Sequence, residues 1–244
     1  MKIENGVLKS INKTKDIKKG CFIVPDWVTE IEEDVFYDCK VLKSITITKS
    51  VTCVKPFAFS HCCNLEDITV EKDNKVYHSE NNCLIETSTN TLVIGCKNSI
   101  IPNYITSIKC YAFHGCSELE KIIIPHSVTS IGNGAFKDCY SLKSLIIGWG
   151  LTSIADYAFY NCLSLKDFNI PDNITSIGMD SFSGCSSLTS IWIPKSVTSI
   201  GNRAFDGCRC LLFIAIPENG IKLGHDVFPT WSNLEAPCVY RYTD

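Results

Sequence analysis

The sequence predicts a repeat solenoid, α+β in class but mostly β: one right-handed coil of stacked short strands and short helical turns over residues 1–244. Three observations predict it: phenylalanine returns on a 23-residue clock, cysteine and leucine keep fixed phases to that clock, and apolar residues alternate within each unit. Phe36, Phe59, Phe113, Phe136, Phe159, Phe182, Phe205 and Phe228 share one phase, and every step from Phe113 onward is 23 residues. Phe59 to Phe113 is 54 residues, one repeat plus an insertion of 31.

Three residues after each phenylalanine stand Cys39, Cys62, Cys116, Cys139, Cys162, Cys185 and Cys208, with Trp231 in the eighth unit. Six residues after it stand Leu42, Leu65, Leu119, Leu142, Leu165, Leu188, Leu211 and Leu234. Five residues before it stand Ile31, Val54, Ile108, Ile131, Ile154, Ile177, Ile200 and Leu223. A fixed period in this range marks units that bury their apolar edges only by stacking on a neighbour. Twenty-three residues is short for a helix pair, which needs about 33 or more.

Each element of the unit follows from its residues. In "LTSIWIP", Leu188, Ile191 and Ile193 point inward and Ser190 and Trp192 outward, the alternation of a strand. "SVTSIG" supplies a second extended piece with Val197 and Ile200 inward. "GNRAFDGC", between the two, reads as a short helical turn with alanine and phenylalanine inward. Proline after the strand (Pro125, Pro171, Pro194, Pro217) lacks a donor and ends pairing. Equivalent residues on successive coils then lie about 4.8 Å apart, so each phase becomes a ladder inside one continuous core. Phe113, Phe136, Phe159, Phe182 and Phe205 form one such ladder, and Cys116, Cys139, Cys162, Cys185 and Cys208 another.

Fifteen cysteines raise the choice between a disulfide framework and thiols. Frameworks belong mostly to small secreted domains. The odd count, the long chain and the parallel Cβ directions of a ladder favour reduced thiols, with cysteine acting as a small apolar rung. Cys53, Cys83, Cys96 and Cys110 lie in or near the inserted stretch, where one non-ladder pair is an alternative.

These units resemble the BspA-like leucine-rich repeats, which read approximately "vtsIgxxAFxxCxxLxxitIPxs". "SVTSIGNGAFKDCYSLKSLII" (127–147) and "SVTSIGNRAFDGCRCLLFIAIP" (196–217) match almost position for position, and the likeness covers about residues 25–234. The resemblance implies a curved leucine-rich-repeat coil with strands on its concave side, used for surface adhesion or protein recognition, with no catalytic residues to carry over. It organises the chain as an N-terminal cap (1–24), repeats (25–70), an irregular hairpin-containing unit (71–104), repeats (105–234) and a C-terminal end (235–244). In the cap, Gly6-Val7-Leu8 corresponds to Asn82-Cys83-Leu84 of the irregular unit. At 148–150 "GWG" replaces the usual "PxS", which is expected to loosen the turn and place Trp149 at its tip.

Composition bounds the function classes. With 45% apolar and 20% charged residues and a net charge of −3, nothing points to nucleic acid or an anionic surface as partner. No run approaches the ~18 apolar residues of a spanning helix, so no membrane insertion is expected. "MKIENGVLKSINKTKDIKKG" has no apolar h-region, which with reduced thiols predicts a cytoplasmic chain, whereas the resemblance implies a cell-surface or secreted one.

No GxSxG, GxGxxG or GxxxxGK[ST] occurs and no paired CxxC spacing for zinc, so no enzyme activity, cofactor or metal is expected. His61, His78, His114, His126 and His225 fall at unrelated phases. Binding belongs to the variable outward strand positions. Lys121, Asp167 and Phe213 share one such phase; Ile123, Ile146 and Trp192 share the next. Exposed aromatics with rim charges have the composition of an interaction site. The expectation is a monomeric, non-enzymatic scaffold that recognises a protein or peptide; the alternative is a structural spacer or stalk within a larger surface protein.

Overall fold

The computed structural model describes residues 1–218, 220–229 and 238–242. Two columns of parallel strands run along it. Cys21–Ile23, Ser44–Ile47 and Asp67–Val70 form the first stretch of the longer column, Lys121–Ile124 and Ser144–Ile147 the second, and Ser190–Trp192, Phe213–Pro217 and Cys238–Tyr242 the third. Register repeats the sequence clock, as in Ile123 opposite Ile146 and Trp192 opposite Ala215. Two-residue strands make the other column, for instance Ser153–Ile154, Ser176–Ile177, Ser199–Ile200 and Lys222–Leu223. The predicted inward residues Leu188, Ile191, Ile193, Val197 and Ile200 are buried. Leu223, at the end of the isoleucine phase, is exposed because no described coil covers it.

The expected helical turns are absent: no helix occurs among the described residues, and the class is β-solenoid rather than α+β. The residues two before and two after each core phenylalanine sit at positive φ, among them Tyr157 and Asn161, Gly134 and Asp138, and Asp180 and Gly184. Between these left-handed residues, alternate N–H groups point along the solenoid axis. Tyr157, Phe159 and Asn161 N–H donate to Met179, Ser181 and Ser183 O of the next coil at 2.9, 2.8 and 2.8 Å. An α-helix would direct each of those N–H groups to the carbonyl four residues back. The intervening amides close short turns instead, such as Cys162 N–H to Phe159 O at 3.3 Å.

This bend orders the core. Phe113, Phe136, Phe159, Phe182 and Phe205 are fully buried, and their rings stack almost parallel at centroid distances of 4.8 to 5.4 Å. The cysteine ladder is polar as well as small. Cys139, Cys162, Cys185 and Cys208 Sγ donate to the carbonyl oxygens of Phe113, Phe136, Phe159 and Phe182 one coil earlier, at 3.3 to 3.4 Å. Each such carbonyl thus accepts a thiol in addition to an amide, and a buried polar group gains a partner.

The core is not one continuous ladder. Residues Leu8 through Cys96 and residues Cys83 through Val227 form two buried clusters that meet at the inserted unit. There Tyr77–Glu80, Cys83–Glu86 and Thr91–Ile94 make an antiparallel meander, with Asn81 and Asn82 both left-handed at its first two-residue turn. Gly95 closes the gap between the clusters: its N–H donates to Ala112 O at 2.9 Å, and an added Cβ would lie 2.0 Å from the Phe113 ring. Cys116 reaches Gly95 O, at 3.7 Å, in place of a phenylalanine carbonyl. The cap repeats the device, with a hairpin of Lys2–Glu4 and Val7–Ser10 turning at Asn5-Gly6. Trp231 and Leu234 of the ladder phases lie outside the described residues.

Fourteen cysteines, those from Cys21 to Cys210, are free thiols. Burial raises the pKa of Cys62, Cys116, Cys139, Cys162 and Cys208. A raised pKa removes reactive thiolate, about tenfold for each unit. Native alkylation followed by peptide mass spectrometry should therefore label exposed Cys21, Cys110 and Cys210 well before Cys139 or Cys162. Equal rates at these two groups would show that the ladder thiols are not buried.

Candidate functional site

The outward face of the longer strand column changes character along its length. In the coils of Ser44–Ile47 and Asp67–Val70 it is polar, and Thr46 and Thr69 hydrogen-bond side by side at 3.0 Å, while Ile23, opposite Thr46 on the first coil, is exposed. Beyond the inserted unit, Ile123 and Ile146 are adjacent in register and about half exposed. Further on, Trp192 is 50% exposed and stacks on Tyr242 of the terminal strand, with ring centroids 4.6 Å apart. Tyr242 is held in turn by its hydroxyl, which donates to Ile193 O at 2.7 Å.

Between Ser144–Ile147 and Ser190–Trp192 the sheet is interrupted, because residues 167–170 form no strand. The inward position there is Phe168, where the other interior coils carry Ile45, Ile68, Ile122, Leu145, Ile191 and Ile214 and the first coil carries Phe22. Its ring stacks on core Phe182 at 4.6 Å. A larger side chain between two coils whose layer holds leucine and isoleucine strains the packing there, whereas Phe22, on the first coil, pairs in register with Ile45. A groove of about 610 Å³ lies at this interruption, lined by Ile146, Trp149, Asp167, Asn169, Asp172 and Trp192 among others.

Trp149 stands at one side of the groove, 64% exposed. Its turn is tied rather than loosened. Trp149 N–H donates to His126 Nδ1 at 3.0 Å, and Asn173 Nδ2 donates to Trp149 O at 2.6 Å and to Leu151 O. The flanking glycines allow this close packing: a Cβ on Gly150 would lie 2.1 Å from His126 O.

Of the predicted site residues, Ile146, Asp167 and Trp192 line this groove and Ile123 adjoins it. Asp167 accepts a hydrogen bond from Thr189 Oγ1 at 2.9 Å. Lys121 is exposed opposite Ser144, and Phe213 lies opposite Ser190, both outside the lining. Sequence reasoning placed Trp149 only at a turn tip and did not see Tyr242. The glycines around Trp149 were the available signal. The histidine reading also changes: His61 and His114 come together with Asp138 on the bend edge, one from each of three stacked coils.

With this geometry in hand, comparison with known proteins is specific. The signature described as "BspA type Leucine rich repeat region" matches residues 9–106 and 106–235 in 6 copies. The chain belongs to the BspA-type leucine-rich repeat family. A leucine rich cell surface protein from Faecalibacterium prausnitzii A2-165 is similar at 38% identity and a TM-score of 0.70, over 78% of this chain and 52% of that one. A leucine-rich repeat protein from Eubacterium ventriosum ATCC 27560 is similar at 26% identity and a TM-score of 0.69, over 89% and 66%. Pneumococcal vaccine antigen PcpA, at 22% identity and a TM-score of 0.65, shares the fold. This chain therefore spans roughly half to two thirds of the bacterial family structures that it matches. No curated protein matches it.

If Phe168 holds the groove open, Phe168→Ile should let residues 167–170 pair with their neighbours. Hydrogen exchange should then slow at Asn169 and Ile170 without loss of folding stability. Unchanged exchange with reduced stability would mean that the interruption has another origin.

Proposed function

We propose that this chain is a non-enzymatic recognition scaffold, of the adhesion or protein-binding kind, that seats a protein or peptide partner on its strand face. The groove between Trp149 and Trp192 is the observation that carries this reading. It joins two half-exposed or more exposed tryptophans and Ile146 to the carboxylates of Asp167 and Asp172. Contiguous exposed apolar surface with a charged rim marks interaction sites, and tryptophan is enriched among the residues that dominate binding energy. The carboxylates suit a partner segment with an apolar side chain next to a lysine or arginine. Ile123 extends the contact along the coil axis, with Lys121 and Phe213 as flanking positions.

The polar coils of Ser44–Ile47 and Asp67–Val70 favour a second role for that stretch. Ser44, Thr46, Asp67 and Thr69 offer only polar outward positions, and these two coils act as a spacer between the N-terminal cap and the groove.

Truncating an aromatic anchor at an interface centre typically costs about 2 kcal/mol or more, or about 30-fold in affinity. Trp149→Ala and Trp192→Ala should each weaken partner capture by at least that factor at equal folded concentration, with almost unchanged melting temperature. Trp149 is the cleaner test, since among the described residues it makes no ring contact comparable to the Trp192–Tyr242 stack. Partners from the native host recovered equally by wild type and both variants would move the binding site off this face.

A further inference from the structure

The two core clusters meet where the inserted unit interrupts the ladder, and at that junction three ligand-type side chains converge from three successive bends. His61 belongs to the bend of Phe59, in the first cluster, and His114 and Asp138 belong to the bends of Phe113 and Phe136, in the second. His114 Nε2 lies 3.2 Å from Asp138 Oδ2 and His61 Nε2 lies 3.9 Å from the same oxygen; one ligand atom of each residue falls within 4.8 Å of the others.

Gly115 makes the convergence possible. It occupies the same phase as His61 and Asp138, on the coil between them, and an added Cβ would lie 2.5 Å from His61 Nδ1. The surrounding hydrogen bonds orient the ligand atoms. Ser60 Oγ lies 3.0 Å from His114 Nδ1, which can donate to it and leave Nε2 free. Asn161 Nδ2 donates to Asp138 Oδ1 at 2.9 Å and leaves Oδ2 facing the imidazoles. Partners of this kind fix the tautomer and direction of metal ligands.

We propose that His61, His114 and Asp138 bind a divalent transition-metal ion such as Zn²⁺, which clasps the two halves of the solenoid across the inserted unit. Ligand atoms around a tetrahedral zinc lie about 3.4 Å apart, given bonds of about 2.0–2.2 Å; the His114–Asp138 separation of 3.2 Å matches this, and the half-buried His61 ring must swing inward to close the remaining distances. Two imidazoles with one carboxylate select zinc and its transition-metal neighbours over calcium and magnesium, which favour all-oxygen sites. The His61 side chain is 24% exposed, which gives the ion an entry route and leaves a coordination position for water or a partner's side chain.

Both His61 and Asp138 have positive φ, at 59° and 60°, a conformation that asparagine tolerates well. His61→Asn and Asp138→Asn should therefore fold, which circular dichroism checks. Exposed thiols also bind zinc, so the measurement uses protein alkylated at its accessible cysteines. Calorimetric titration with Zn²⁺ should show one site per chain and a metal-dependent rise in melting temperature. Each asparagine variant should weaken binding about 100-fold, and Ser60→Ala about tenfold. His225→Gln, at an exposed histidine outside the cluster, should bind like wild type. No saturable binding, or undiminished affinity in the folded asparagine variants, would overturn the proposal.

Discussion

The hydrogen bonds that run from each phenylalanine bend to the next coil are the constraint on which the rest of the structure depends. Because Phe136 and Phe159 N–H point along the axis to Ala158 and Ser181 O, both at 2.8 Å, their side chains are turned inward and their rings stack. Their carbonyls in turn accept the thiols of Cys162 and Cys185. The 23-residue period follows from this bonding, since one residue more or less in a coil would rotate every later bend out of phase. The large insertion respects that rule. It leaves the bends on either side near register, so that His61 N–H still donates to His114 O at 3.1 Å across a gap of 53 positions in sequence.

Much of this was legible in the sequence, for a physical reason. Ladder positions tolerate few side chains because each touches its own copy one coil away, so Phe, Cys and Leu recur in the open. The helical-turn expectation failed because the alanine–phenylalanine and cysteine spacing of the bend suits a helical turn and an alternating left-handed bend equally. The distinguishing signal lay two residues to either side, where Asp34, Asp38, Gly115, Gly134, Asp138, Asn161, Asp180, Gly184 and Gly207 are types that accept positive φ. Phe57, Tyr111, Tyr157 and Arg203 at the same phases masked it. The hydrogen-bonding role of the cysteines was not visible either, since an apolar rung and a thiol donor demand the same residue.

The site was legible in part. Alternation identified Ile123, Ile146 and Trp192 as outward, but the groove between them lies where residues 167–170 form no strand, a break that the inward Phe168 does not announce, since Phe22 at the same phase pairs normally. The His61, His114 and Asp138 cluster escaped because the insertion separates its first member from the others, and because the two histidines differ by one position in phase. Scaffold and function are therefore separable here: the ladders set coil spacing, and single departures from the ladder pattern open the surfaces that can bind.

The most direct measurement of the central claim is hydrogen-bond scalar coupling by NMR between backbone nitrogen and carbonyl carbon, in deuterated protein. The account predicts couplings from Phe136 N to Ala158 C′, from Phe159 N to Ser181 C′ and from Phe182 N to Ala204 C′, all between coils. Couplings from those nitrogens to carbonyls four residues earlier in the same coil would show helical turns and contradict it.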